Sequence, residues 1–194
     1  MATFLKRLLG MTLLGVACVA MPAVWVQAAD TGALRELTVR RADHTAWVSA
    51  RLSGGLPNRV LKQIRRGVPQ DLFYTVTVRR RHRRWFDEEL LASTVRFTLR
   101  YDTLRGIWLI RRTAPDGAVF DTEAASQEQA VEAVSQLRDV AIEVPPMRRG
   151  EWYYISVKAE VRATPLPLYL DYVFFFVPHV EFETPWASSG PLAP

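Results

Sequence analysis

The sequence predicts a mainly β domain, antiparallel and sandwich-like or α+β, with two short helices. Three observations carry this expectation. Segments of alternating apolar and polar residues recur along the chain, the period-2 signature of half-buried strands. Turn-forming residues separate them at short intervals. Only two stretches combine helical spacing with helix start or stop signals. The length, 194 residues, suits one domain, and a composition of 49% hydrophobic and 23% charged residues is that of a globular chain.

The chain opens with Lys6 and Arg7, followed by 19 uncharged residues from Leu8 to Val26 and the ending Val26-Gln27-Ala28. A basic start, an apolar middle and small residues before a break make a secretory signal peptide, with cleavage after Ala28 and a periplasmic destination. The same 19 residues could instead be retained as a membrane anchor. Attachment of lipid at Cys18 is a third option. The exported domain is then residues 29–194.

Within that domain, Leu34 to Arg41 and Ala46 to Leu52 read as two strands around the turn Ala42-Asp43-His44-Thr45. Pro57 opens a short helix through Arg66 that carries Val60, Leu61 and Ile64 on one side and stops at Gly67. Leu72 to Arg81 is the strongest strand, rich in β-branched and aromatic residues, and its expected partner is Ser93 to Tyr101. His82 to Glu89 forms the tip of that long hairpin. Trp108 to Arg112 and Ala118 to Phe120 continue a meander across the turn Ala114-Pro115-Asp116-Gly117. Ser126 with Gln129 makes a capping box for an amphipathic helix carrying Ala130, Val131, Val134 and Leu137 to Arg138. A long strand from Glu151 to Arg162 turns Tyr153, Ile155, Val157, Ala159 and Val161 inward. The apolar stretch Pro165 to Pro178 is too short to span a bilayer, and its aromatic run Tyr169 to Phe176 suits either core or a contact patch. Val180 to Glu183 reads as a last strand and Ser188 to Pro194 as a frayed tail.

The run Gly67 to Glu88, Gly-Val-Pro-Gln-Asp-Leu-Phe-Tyr-Thr-Val-Thr-Val-Arg-Arg-Arg-His-Arg-Arg-Trp-Phe-Asp-Glu, resembles the signature of an uncharacterised bacterial exported family, the domain of unknown function 4390. The resemblance continues through Arg100-Tyr101-Asp102-Thr103-Leu104, Phe120-Asp121-Thr122 and Leu166-Pro167-Leu168. It implies a secreted or periplasmic protein of proteobacteria, encoded in many genomes beside a membrane sensor kinase of the nitrogen-regulation type. It implies no catalytic residues.

Charge and chemistry narrow the function. The 25 Lys and Arg outnumber the 20 Asp and Glu by five, and 22 of the 25 are Arg, which a GC-rich genome explains without a ligand. Loss of residues 1–28 would remove Lys6 and Arg7, leaving 23 cations against 20 acids, a charge of +3, and would remove the sole Cys. Export makes nucleic acid an unexpected ligand. One Cys, three His and no Gly-x-Ser-x-Gly, His-Glu-x-x-His or phosphate-cradling glycine loop leave no recognisable nucleophile, metal or cofactor site. The expected activity is therefore non-enzymatic binding, as an accessory module to a membrane-associated protein such as a sensor kinase. An enzyme of unknown class would need a pocket joining residues such as His44, Asp171, His179 and Glu181.

The sharpest local feature is Arg79, Arg80, Arg81, Arg83 and Arg84 followed by Trp85 and Phe86. A basic strand ending in two aromatics fits an acidic protein partner or anionic lipid head groups, with rings at the membrane boundary. It also fits a plain hairpin whose arginines are solvated or paired with Asp87, Glu88 and Glu89.

Overall fold

A computed structural model describes residues 32–163 and 180–192. Its elements in chain order are β1 (Ala33–Ala42), β2 (Thr45–Ser53), α1 (Asn58–Arg65), β3 (Gln70–Arg81), β4 (Glu88–Asp102), β5 (Ile107–Thr113), β6 (Val119–Ala124), α2 (Gln127–Ser135), β7 (Gln136–Glu143), β8 (Trp152–Ala163), β9 (Val180–Glu183) and β10 (Ala187–Ser188). They form two antiparallel sheets. The smaller has the order β1-β2-β7; the larger has the order β10-β8-β3-β4-β5-β6, with β9 also on β8. The mainly β, sandwich-like architecture with two helices expected from the sequence is thus observed.

Alternation decides which face of each strand is buried. Leu72, Tyr74, Val76 and Val78 of β3, Val95, Phe97 and Leu99 of β4, and Ile155, Val157, Ala159 and Val161 of β8 line the core face of the large sheet. Ala46, Val48, Ala50 and Leu52 of β2 do the same for the small sheet. Val60, Leu61 and Ile64 of α1 and Ala130 and Val134 of α2 join the same apolar cluster. Gly67, at φ +86°, ends α1 in the left-handed region that glycine adopts at least cost. The Tyr74 hydroxyl lies wholly inside and donates to the Val134 carbonyl at 2.7 Å, tying β3 to the end of α2; burial pushes its pKa well above the ordinary tyrosine range.

β4 begins at Glu88 rather than Ser93, so Glu88 and Glu89 belong to the ladder and not to the tip, and two further segments differ from the sequence expectation. The second helix stops at Ser135 rather than Arg138, and Leu137 belongs to β7, which pairs with β2. A one-residue bulge follows Leu137. Ala50 faces Leu137 and Val48 faces Val140, so β7 carries one residue more than β2 across this interval, and Asp139 sits there at φ +42°. Leu137, the first buried residue of β7, follows the buried Val134 of α2 at a spacing of three, so the helical stripe runs on past the end of the helix. The Asp139 amide donates to Ser49 Oγ at 3.0 Å and holds the bulge.

The C-terminal segment is likewise no frayed tail. Ser188 pairs with Ser156, the Ser189 amide donates to the Ile155 carbonyl at 2.8 Å, and the Leu192 amide donates to the Tyr153 carbonyl at 2.8 Å. These bonds cover the edge of β8, which would otherwise present unpaired backbone groups. Residues 1–31, with the expected signal peptide, and the aromatic run Tyr169 to Phe176 lie outside the described residues, as do Asp171 and His179.

Candidate contact surface

The β3–β4 hairpin positions the basic-aromatic run. Its strands pair from Gln70↔Leu99 to Arg80↔Glu88, with a bulge between Val78 and Arg79 that sets Leu90 outside the register. On its other edge β3 pairs with β8 from Gln70↔Ala163 to Arg81↔Trp152. The base of the hairpin is therefore a central strand held on both sides, and only residues 82–87 project beyond the ladder.

The base and the tip use arginine differently. Arg79 reaches Glu89 at 3.3 Å and lies over the Trp186 ring, 5.0 Å from its centroid. Arg80 is clamped between Glu88 and Glu151, the latter at 3.0 Å. Glu151 also accepts from the Tyr153 hydroxyl at 2.6 Å, and that hydroxyl accepts from the Arg148 amide at 3.0 Å. The hydrogen bonds from Arg80 hold the Glu88 carboxyl below its ordinary range; Tyr153 first, then Arg80, do the same for Glu151. Asp87 accepts from the Tyr154 hydroxyl at 2.5 Å and from the His82 amide at 3.2 Å, and these two bonds depress its pKa in that order. Arg79 and Arg80 are thus structural. For these two residues the plain ion-paired hairpin is the one observed.

Beyond the clamp the picture reverses. Arg83 and Arg84 are exposed and make no ion pair or side-chain hydrogen bond with any described residue. Trp85 is 82% and Phe86 97% exposed. Arg81 is exposed and lines a cleft of about 330 Å³ together with Asp87, Trp152, Tyr154, Ser188 and Ser189.

Strand pairing also delivers residues that the linear sequence did not single out. Trp152, 59% exposed, stands beside Arg81 through the β3–β8 register, and the exposed Arg148 and Arg149 precede it in the loop that leads into β8. The outward place of Trp152 in the alternation of β8 was visible; its neighbourhood to the hairpin tip, 70 residues away, was not.

A second groove lies against β4, β5 and β6. Of its cations, Arg105 is paired with Glu123 at 3.0 Å and Arg111 with Asp121 at 2.8 Å, while Arg100 lines it without a described ion pair. His44 sits in the β1–β2 turn, where its carbonyl accepts from the Val144 amide at 2.7 Å, and Glu181 lies in β9. Neither of the two clefts described above includes His44 or Glu181, and no three metal-ligating side chains converge among the described residues.

Of the segments that carried the family resemblance, Leu166-Pro167-Leu168 lies outside the described residues; the others fall together on the large sheet, as β3 with the tip, the end of β4 with its turn, and β6. A family model matches residues 29–189. The chain belongs to the family described as domain of unknown function 4390. No curated protein and no solved structure matches it. In this 4390-family domain the candidate contact surface is the hairpin tip with Arg81 and Trp152 beside it.

Proposed function

We propose that the protein is an exported, non-enzymatic accessory module that docks on a component of the cell envelope through the tip of its β3–β4 hairpin. One observation carries the proposal: Trp85 and Phe86 stand side by side, 82% and 97% exposed, on a stem that ion pairs hold rigid. Aromatic rings of this size dominate the energetics of interfaces. Two of them held in water at the end of a fixed stem are placed for contact, since neither packs on the domain's own core. Arg83 and Arg84 beside them supply unpaired positive charge. The uncharged stretch Leu8 to Val26 supports export, with cleavage after Ala28.

Photo-crosslinking in intact cells tests the contact. A photoreactive residue in place of Trp85 is compared with one in place of Leu104, which is 97% exposed in the β4–β5 turn at the opposite end of the same sheet. Crosslinks to an envelope component from position 85 and not from position 104 are expected. Equal or absent crosslinking at the two positions overturns the proposal.

A further inference from the structure

We infer that the tip is received by the head-group layer of an anionic lipid bilayer. This rests on the contact just proposed and goes beyond it by naming the partner.

Charge is the first argument. Segments 79–89 and 148–151 contain seven arginines and four acids, an excess of three. Residues 29–194 as a whole carry 23 cations and 20 acids, the same excess of three. The entire net charge of the exported chain therefore sits at one end of the large sheet. The acids there are already engaged: Glu89 by Arg79, Glu88 and Glu151 by Arg80, and Asp87 by Tyr154. Arg83, Arg84, Arg148 and Arg149 remain as outward cations without a partner among the described ion pairs. Several exposed cations spread around a centre suit a diffuse sheet of phosphates better than a partner with charges at fixed points.

The rings are the second argument. Trp85, Phe86 and, across the Arg81↔Trp152 pair, Trp152 protrude from the same end. A protein partner would need a pocket matched to each protruding ring. A bilayer boundary accepts them without one, with the amphipathic indoles at head-group level and the guanidinium groups on phosphate.

The third argument is the path of the chain. The Gly32 Cα lies so close to Phe182 that a Cβ there would meet the ring at 2.5 Å, and Phe182 pairs with Val161 of β8. Val161 is nine residues along β8 from Trp152, about 30 Å at ~3.3 Å per residue. The described chain thus begins at the end of the sheet opposite the tip. Residues 27–32 reach at most about 20 Å, so an upright domain still anchored through Leu8 to Val26 would hold its tip away from that bilayer. Docking by the tip belongs to the form cleaved after Ala28.

Flotation tests the inference. The full chain is expressed with its own N-terminus, and the protein is purified as the cell delivers it. It is then floated with phosphatidylcholine vesicles containing or lacking phosphatidylglycerol. Binding that requires the anionic lipid and weakens as salt rises is expected. Arg83→Gln with Arg84→Gln should lower partitioning about 30-fold, from ~1 kcal/mol per arginine at tenfold per ~1.4 kcal/mol. Trp85→Phe should shrink a lipid-dependent blue shift in tryptophan emission, leaving the part that Trp152 contributes. An unchanged circular dichroism spectrum shows that both variants fold. Absence of binding, binding without anionic lipid, or binding unaffected by the arginine pair each overturns the inference. If vesicles are ignored while position 85 crosslinks a protein in cells, the lipid partner fails and the contact at the tip stands. If position 85 crosslinks no more than position 104, the contact itself fails.

Discussion

Six residues, Arg79 to Arg84, hold five arginines of identical chemistry, yet the structure divides them into two regions with different work. At the base, Arg79 and Arg80 lie within the strand ladder, where the β3–β4 register sets Glu89 and Glu88 opposite them and β8 brings Glu151 alongside. At the tip, Arg83 and Arg84 have left the ladder, and no cross-strand acid faces them. Position relative to the last ladder pair, rather than composition, decides whether an arginine holds the fold or faces outward. The contrast also has a functional sense. Exposed rings gain from being held in one orientation, because a rigid contact element loses less entropy on binding.

The base can be broken from beneath. Ile155→Ala removes a wholly buried side chain from the β8 core under the hairpin and should cost about 2–5 kcal/mol, read as a lower urea midpoint with unchanged slope. Tyr74→Phe deletes the hydroxyl that satisfies the buried Val134 carbonyl and should cost about 1–3 kcal/mol by the same measurement. Arg80→Ala leaves Glu88 and Glu151 without their shared cation; its urea midpoint should fall, whereas that of Arg83→Ala should not move. Equal midpoints for those two variants would erase the distinction between base and tip.

Much of this architecture was legible in the residues because period-2 alternation is local. Leu72 to Arg81, Ser93 to Tyr101 and Glu151 to Arg162 announce their strands and their buried faces without reference to anything distant. The end of α2 was not legible, since Leu137 of β7 is buried three residues after Val134 of α2 and continues the helical spacing across the change of element. The paired C-terminal segment was hidden for a different reason. Its bonds to Ile155 and Tyr153 are made by backbone groups and by Ser189, and a short polar stretch carries no sign of the edge that it will cover. The contact surface was half legible: Arg79 to Phe86 stood out as a run, while the division into base and tip, and the addition of Trp152, required the β3–β8 pairing.

Acid separates the two regions more gently than mutation. Glu88, Glu151 and Asp87 all have folded pKa values below their ordinary ones, so each binds its proton less readily folded than unfolded. Their stabilisation is present above the ordinary carboxylate range and is lost as pH falls through the depressed folded values. The hairpin base should therefore loosen below about pH 4, seen as faster amide exchange at Arg79 to His82. Arg80→Ala should flatten that dependence, since it removes the leading cause of the Glu88 shift.

The smallest effect on stability should come from the residues with the largest proposed effect on binding. Trp85→Ser with Phe86→Ser removes two rings that pack on nothing, and Arg83→Gln with Arg84→Gln removes two cations that pair with no described acid. Each double variant should keep its urea midpoint within about 0.5 kcal/mol of the parent. A tip that supported the fold would show its cost here, as Arg80 should. Residues whose loss leaves the fold indifferent while they hold aromatic surface in water are explained by what they meet outside the domain, and the size of this null effect sharpens the contrast most.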